Sequence, residues 1–129
     1  MILVVSGDTP SLKNGKEIGW SHKKKRKILK PSERYCRWAD VARIELLQFR
    51  QRVRATEWIY PITLKFKFYR TTRRAFDYLN VAQGLCDVGI ELGMWPDDNM
   101  NYVVPDFSEG WEIDKINPRV EVEIINGRS

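Results

Sequence analysis

The sequence predicts an α/β (α+β) fold in which a small mixed β-sheet carries two main helices packed on one face. Three observations lead there. "YPITLKFKFYR" alternates strictly between apolar and polar residues, the period of a half-buried strand. "PSERYCRWADVARIELLQFRQRVRA" places apolar residues at steps of three and four, the period of an amphipathic helix. A second helical stretch follows, opened by an aspartate and closed by a glycine. At 129 residues, the chain 1–129 reads as one domain with a proper core and is too short for two.

The elements follow in order. "ILVVSG" is a first strand, apolar on both faces. Residues 7–30 read as a long basic loop, because Gly7, Pro10, Gly15 and Gly19 interrupt any period and six cations fall within "KKKRKILK". Ser32 is placed to cap the first helix, with Glu33 at the positive end of its dipole. Tyr35, Trp38, Ala42, Leu46, Phe49 and Val53 form its inward stripe. In the alternating strand Ile62, Leu64, Phe66 and Phe68 face the core, and Thr63, Lys65, Lys67 and Tyr69 face outward as a basic surface. "TTRRAF" leads to a helix from about Asp77 to Leu92, with Val81, Leu85, Val88 and Leu92 inward. Gly84 and Gly89 weaken that helix by about 1 kcal/mol each relative to Ala, so packing holds it or a close approach requires them. Gly93 supplies the stop. "YVVPDF" and "PRVEVEII" read as the last strands, and the final residues as frayed.

Charge is distributed unevenly. Residues 1–74 hold 19 Lys+Arg against 6 Asp+Glu, and residues 75–129 hold 3 against 11. This asymmetry points to one surface for a polyanion and another region that concentrates carboxylates; a solvated helix and a charged tail account for each half separately. No apolar run is long enough to cross a bilayer, and "MILVV" lacks the basic and small-residue features of a secretory leader. Cys36 and Cys86 lack metal-ligand spacing and read as buried thiols of a cytoplasmic protein.

The residues that carry chemistry are chiefly acidic. Asp77 and Asn80, three apart at a helix start, point the same way. With Asp97 and Asp98 of "WPDDN" they are candidate oxygen ligands for a hard cation, which one or two carboxylates usually hold with waters and substrate phosphate. Arg73 and Arg74 are placed to grip a phosphate. Plainer readings stand beside these: Asp77 as a helix cap, and Asp97–Asp98 as a surface turn. A helix of about fourteen residues spans roughly 21 Å. Asp98 therefore meets Asp77 only if the loop returns along the helix, or across a subunit boundary. Lys23, Lys24, Lys25, Arg26 and Lys27 make a run suited to phosphate contacts. His22 stands alone, and neither a nucleophilic triad nor a glycine-rich phosphate loop is present.

"PSLKNGKEI", "KPSERYCRW", "RRAFDYLN", "GMWPDDN" and "NPRVEVEI", in that order, resemble the sequential blocks of RusA-type Holliday junction resolvases, over about residues 10–124. The resemblance implies a homodimeric endodeoxyribonuclease, dependent on Mg²⁺ or Mn²⁺, that cuts four-way DNA junctions in recombination and repair, encoded by a bacterium or its phage. It implies catalytic roles for Asp77, Asn80, Asp97 and Asp98, with Asp77, Asp97 and Asp98 on the metal. Lys13 and Asn14 match a polar pair of the family's N-terminal block, and on this reading Lys65, Lys67, Arg70, Arg73 and Arg74 continue the DNA track. The family signature is Asp-x-Asp-Asn with a lysine three residues on. Here Leu79 stands in place of the second aspartate and Gln83 in place of the lysine. Those departures motivate the alternative of a degenerate member that binds branched nucleic acid without cutting it. A basic adaptor with no nucleic-acid role is the third reading.

Overall fold

The computed structural model describes residues 1–9, 16–21, 26–31 and 33–128, with the backbone alone for 16–21 and 26–31. Its order is β1 (Ile2–Ser6), β2 (Lys16–Ser21), β3 (Arg26–Pro31), α1 (Glu33–Ala55), β4 (Ile62–Arg70), α2 (Tyr78–Glu91), β5 (Val103–Asp106), β6 (Trp111–Ile113) and β7 (Arg119–Ile125). The main sheet is mixed. β7 lies between β1 and β4, antiparallel to both, and β5 and β6 run parallel to β4 along its other edge. β4, α2 and β5 thus form a β-α-β unit, which carries the chain across the sheet by a helix.

The alternation of β4 appears as expected: Ile62, Leu64, Phe66, Phe68 and Arg70 are buried and the residues between them half-buried. Leu3 and Val5 of β1 and Val120, Val122 and Ile124 of β7 share the buried face. Trp38, Ala42, Leu46 and Val53 of α1 and Val81, Leu85 and Val88 of α2 complete the core. The helices cover one face, because only that face is continuously apolar.

Three expectations are corrected. Residues 7–30 are not one unstructured loop: β2 and β3 pair antiparallel from Lys16↔Pro31 to Ser21↔Arg26. Glycine and lysine masked this hairpin, since both are poor strand signals. The C-terminal residues are held rather than frayed: Asn126 Oδ1 accepts from Ile59 N at 2.6 Å, and Gly127 N donates to Ile59 O at 2.8 Å. Cys86 is buried, but Cys36 is exposed on α1. The proposed Ser32 cap lies outside the described residues.

The two helix glycines of α2 are explained by close approach. A Cβ on Gly84 would collide with the Tyr35 hydroxyl, and one on Gly89 would collide with the Trp95 indole. The helix then ends in a paired-bond cap. Gly93, at φ +69°, donates to Ile90 O at 3.0 Å, and Met94 N donates to Gly89 O at 2.8 Å. This cap turns the chain back, and Trp95 drops into the Gly89 notch with its Nε1 donating to Cys86 O at 3.1 Å. Helix propensity alone favours Gly89→Ala by about 1 kcal/mol. We expect the reverse, a net loss of roughly 1–3 kcal/mol from overpacking, measured by urea unfolding. An unchanged or raised midpoint would show that Trp95 does not need the notch.

Candidate functional site

Asp77 is fixed from both sides in the chain. Phe76 and Tyr78 turn inward, their ring centroids 5.0 Å and 5.1 Å from that of Phe68 in β4 and 4.9 Å from each other. The residue between these anchors is left at the rim, where it caps α2: its Oδ1 accepts from Leu79 N at 2.9 Å. The cap reading is therefore correct, and it leaves the second carboxylate oxygen for other work.

Arg70 supports the same segment from beneath. Its side chain is 1% exposed; Nε donates to Thr9 Oγ1 at 3.2 Å and lies 3.9 Å from Asp8 Oδ1, and Nη1 donates to the Arg74 carbonyl. The guanidinium stacks on Phe76 with its carbon 4.3 Å from the ring centroid. Burial pushes its pKa down and Asp8 opposes that shift. A DNA phosphate cannot reach a guanidinium enclosed in this way. Arg70 is thus a strut for the loop before α2, a correction to its expected place on the DNA track. Arg73 and Arg74, in that loop, are exposed.

Asp98 comes back along α2. Gln83 Nε2 donates to Asp98 Oδ2 at 2.7 Å and to Asp87 Oδ1 at 2.9 Å, so one amide holds two carboxylates. Asn80, Gln83 and Asp87 lie on one stripe of the helix, at steps of three and four. The loop does return along the helix within a single chain, and it sets Asp98 on Gln83 and not on Asp77. It reaches the middle of the helix, about 9 Å in axial rise beyond Asp77, with Asn80 between. Asp97 stays exposed, accepting from Asp98 N at 2.7 Å and from Asn99 Nδ2 at 3.2 Å. Beneath the carboxylates the Cys86 thiol is pushed up to about 12, by burial first and then by Asp98 and Asp87, so it stays protonated.

Sequence reasoning missed Asp87. The signal was available, seven residues after Asn80 and four after Gln83, but its partner Asp98 depends on the return of the loop. Among the described residues, no three acidic, histidine or cysteine side chains converge into a group that could hold a metal. The Gln83 amide brings together one pair of carboxylates, Asp87 and Asp98.

The expected basic face of β4 is also corrected. Lys65 pairs with Glu109 at 3.0 Å and Lys67 with Glu112 at 3.4 Å, while the register sets Glu123 beside Lys65 and Glu121 beside Lys67. Asp106 of β5 also faces Lys65 across the strands. Lys65 and Lys67 thus sit among carboxylates and not on an open basic face. Lys13, Asn14, Lys23, Lys24 and Lys25 lie outside the described residues, and Arg26 and Lys27 begin β3. Among the described residues, no helix is long and apolar enough to cross a membrane. No protein-family model matches this chain, and no curated protein matches it either.

Proposed function

We propose that this protein is a structure-specific endodeoxyribonuclease of the RusA type, acting as a homodimer on four-way or otherwise branched DNA in the bacterial cytoplasm. The observation that carries the reading is the return of Asp98 to the α2 face that begins at Asp77. A twofold dimer supplies two such sites, as two symmetric cuts require.

Asp98 and Asp87, which the Gln83 amide brings together, would hold Mg²⁺ or Mn²⁺, with Asp77 and Asp97 reaching the ion through its waters. A bound ion would supply Lewis-acid polarisation of the scissile phosphate and a lowered pKa for a coordinated water. Arg73 and Arg74 grip phosphate on the approach to Asp77, and the Asn80 amide orients oxygen atoms between the two aspartates. The half-buried Phe76 and Tyr78 and the buried Arg70 hold Asp77 in place.

The second reading, a binder of branched nucleic acid that does not cut, is favoured by Gln83. Its neutral amide occupies Asp98 where the resemblance expects a lysine.

Three outcomes test these readings. Asp77→Asn keeps a good helix cap and should retain stability and junction binding, while cleavage of a synthetic four-way junction falls at least about 100-fold. Parental cleavage by this variant would remove Asp77 from the site. Leu79 is 68% exposed, so Leu79→Asp costs no core packing. Combined with Gln83→Lys it should raise divalent-dependent cleavage roughly 10- to 100-fold, and a flat response would count against both positions. On binding, Arg73→Gln and Arg74→Gln should each lower the salt slope by about 0.9 on duplex arms. Arg70→Gln should instead lower the unfolding midpoint and leave that slope unchanged. A reduced slope for Arg70→Gln would contradict its role as a strut.

A further inference from the structure

A second surface lies on the far side of the Asp97–Asp98 loop, where the C-terminal ends of α1 and α2 meet. A cavity of about 360 Å³ opens there between Arg54, Trp58, Tyr60, Ile90, Trp95 and Pro96. That is within the range of small-ligand pockets, roughly 300–1,000 Å³. Trp58 and Tyr60 are half-buried, and each is held. Trp58 Nε1 donates to Val53 O at 2.8 Å, and the Tyr60 ring sits edge-on to Tyr102 with centroids 5.5 Å apart.

The flank of α1 that faces α2 carries Arg43, Arg50 and Arg54. Glu91 of α2 answers Arg43 at 2.8 Å. Arg50 and Arg54 form no ion pair with any described residue, and both line a shallow groove on the exposed side of α1, beside Leu47, which meets the cavity at Arg54. The Arg54 guanidinium crosses toward the end of α2, its carbon 3.9 Å from where a Cβ on Gly93 would stand. Arg50 and Arg54 are one turn apart, roughly 6 Å along the axis. The result is a cationic groove that runs into an aromatic pocket, one residue before Asp97.

We infer that this groove and pocket bind an unpaired nucleic-acid strand, with a base against Trp58 and Tyr60 and its flanking phosphates on Arg50 and Arg54. Sequence-independent strand binding combines these two parts, cations that track the backbone and aromatic faces that take bases. The helix termini support the division of labour. Their carbonyl ends disfavour an anion inside the pocket and favour the donor edge of a base, so the phosphates fall to the arginines outside. Glu57 is the one carboxylate in residues 50–60, against three arginines. An acidic peptide with an apolar anchor would use the same charges, but it does not need two planar rings.

This inference rests on the nucleic-acid part of the proposed function and is independent of cleavage. The test is fluorescence anisotropy of a labelled oligo(dT) strand with the full chain across a salt series. Arg50→Gln and Arg54→Gln, both at exposed positions, should each weaken binding about tenfold and lower the salt slope by about 0.7. Arg52→Gln removes the same charge from the opposite flank of α1 and should stay within about twofold of the parent. Tyr60→Leu should weaken binding roughly tenfold with an unchanged slope, as lost stacking does. No binding of oligo(dT), equal effects of Arg52→Gln and Arg54→Gln, or displacement of the strand by polyglutamate would overturn the inference. Junction cleavage that persists through any of these would leave the nuclease reading intact. Strand binding retained in a protein that cuts no junction would refute the nuclease and uphold this groove.

Discussion

The site depends on one packing event, the seating of the Trp95 indole in the notch above Gly89. Without it α2 would deliver the chain some twenty ångströms from Asp77, since a fourteen-residue helix is about that long. The positive-φ Gly93 reverses the chain, but a reversal alone does not fix a direction. Trp95 does, because a large ring with one hydrogen bond to Cys86 O has a single way to lie in a slot made by a missing side chain. Asp98 follows three residues later and meets Gln83. A glycine that looks like a defect in the helix is thus the reason a distant aspartate joins it.

The N-terminal end of the site is held by a different device. Phe76 and Tyr78 enter the aromatic cluster over Phe68, and Arg70 closes the loop from below through Thr9, Asp8 and the Arg74 carbonyl. The basic half of the chain therefore does not form one surface. Lys65, Lys67, Arg70 and Arg43 meet carboxylates within the fold, most of them from the acidic half. The charge asymmetry read along the chain is cancelled in part by these pairs. Arg73 and Arg74 beside Asp77, and Arg50 and Arg54 beside the aromatic pocket, are among the described cations that form no ion pair within the fold, which leaves them able to meet an outside anion.

What was legible in the sequence is what local period encodes. The stripe of α1, the alternation of β4, the start of α2 at Asp77 and its stop at Gly93 all follow from spacing and cap chemistry. Sequence reading failed where a neighbour decides. The hairpin β2–β3 is written in lysine and glycine, so pairing rather than propensity forms it. β6 is three residues long and exists because β4 offers a free edge. Arg70 reads as surface by type and is interior by alternation, since it continues the buried series from Ile62 to Phe68. That signal was present, but charge outweighed period in the reading. Asp87 was passed over because only the returning loop gives it a partner.

The two departures from the resolvase signature are best understood together. Leu79 is 68% exposed on the first turn of α2, where the helix dipole favours a carboxylate. The fold therefore does not select Leu79. Gln83 keeps the geometry of a cation bridging Asp87 and Asp98 but carries no charge. Replacing an aspartate and a lysine by two neutral residues leaves the net charge of the site where the signature puts it. Seen from farther than the spacing of these groups the site then looks the same, and salt damps its field beyond a Debye length. The near field is altered, with one fewer carboxylate for a cation and no ammonium beside the carboxylates. On the proposed function, recognition and chemistry separate at these two residues, since they leave the net charge as it was and take one carboxylate and one ammonium from the near field.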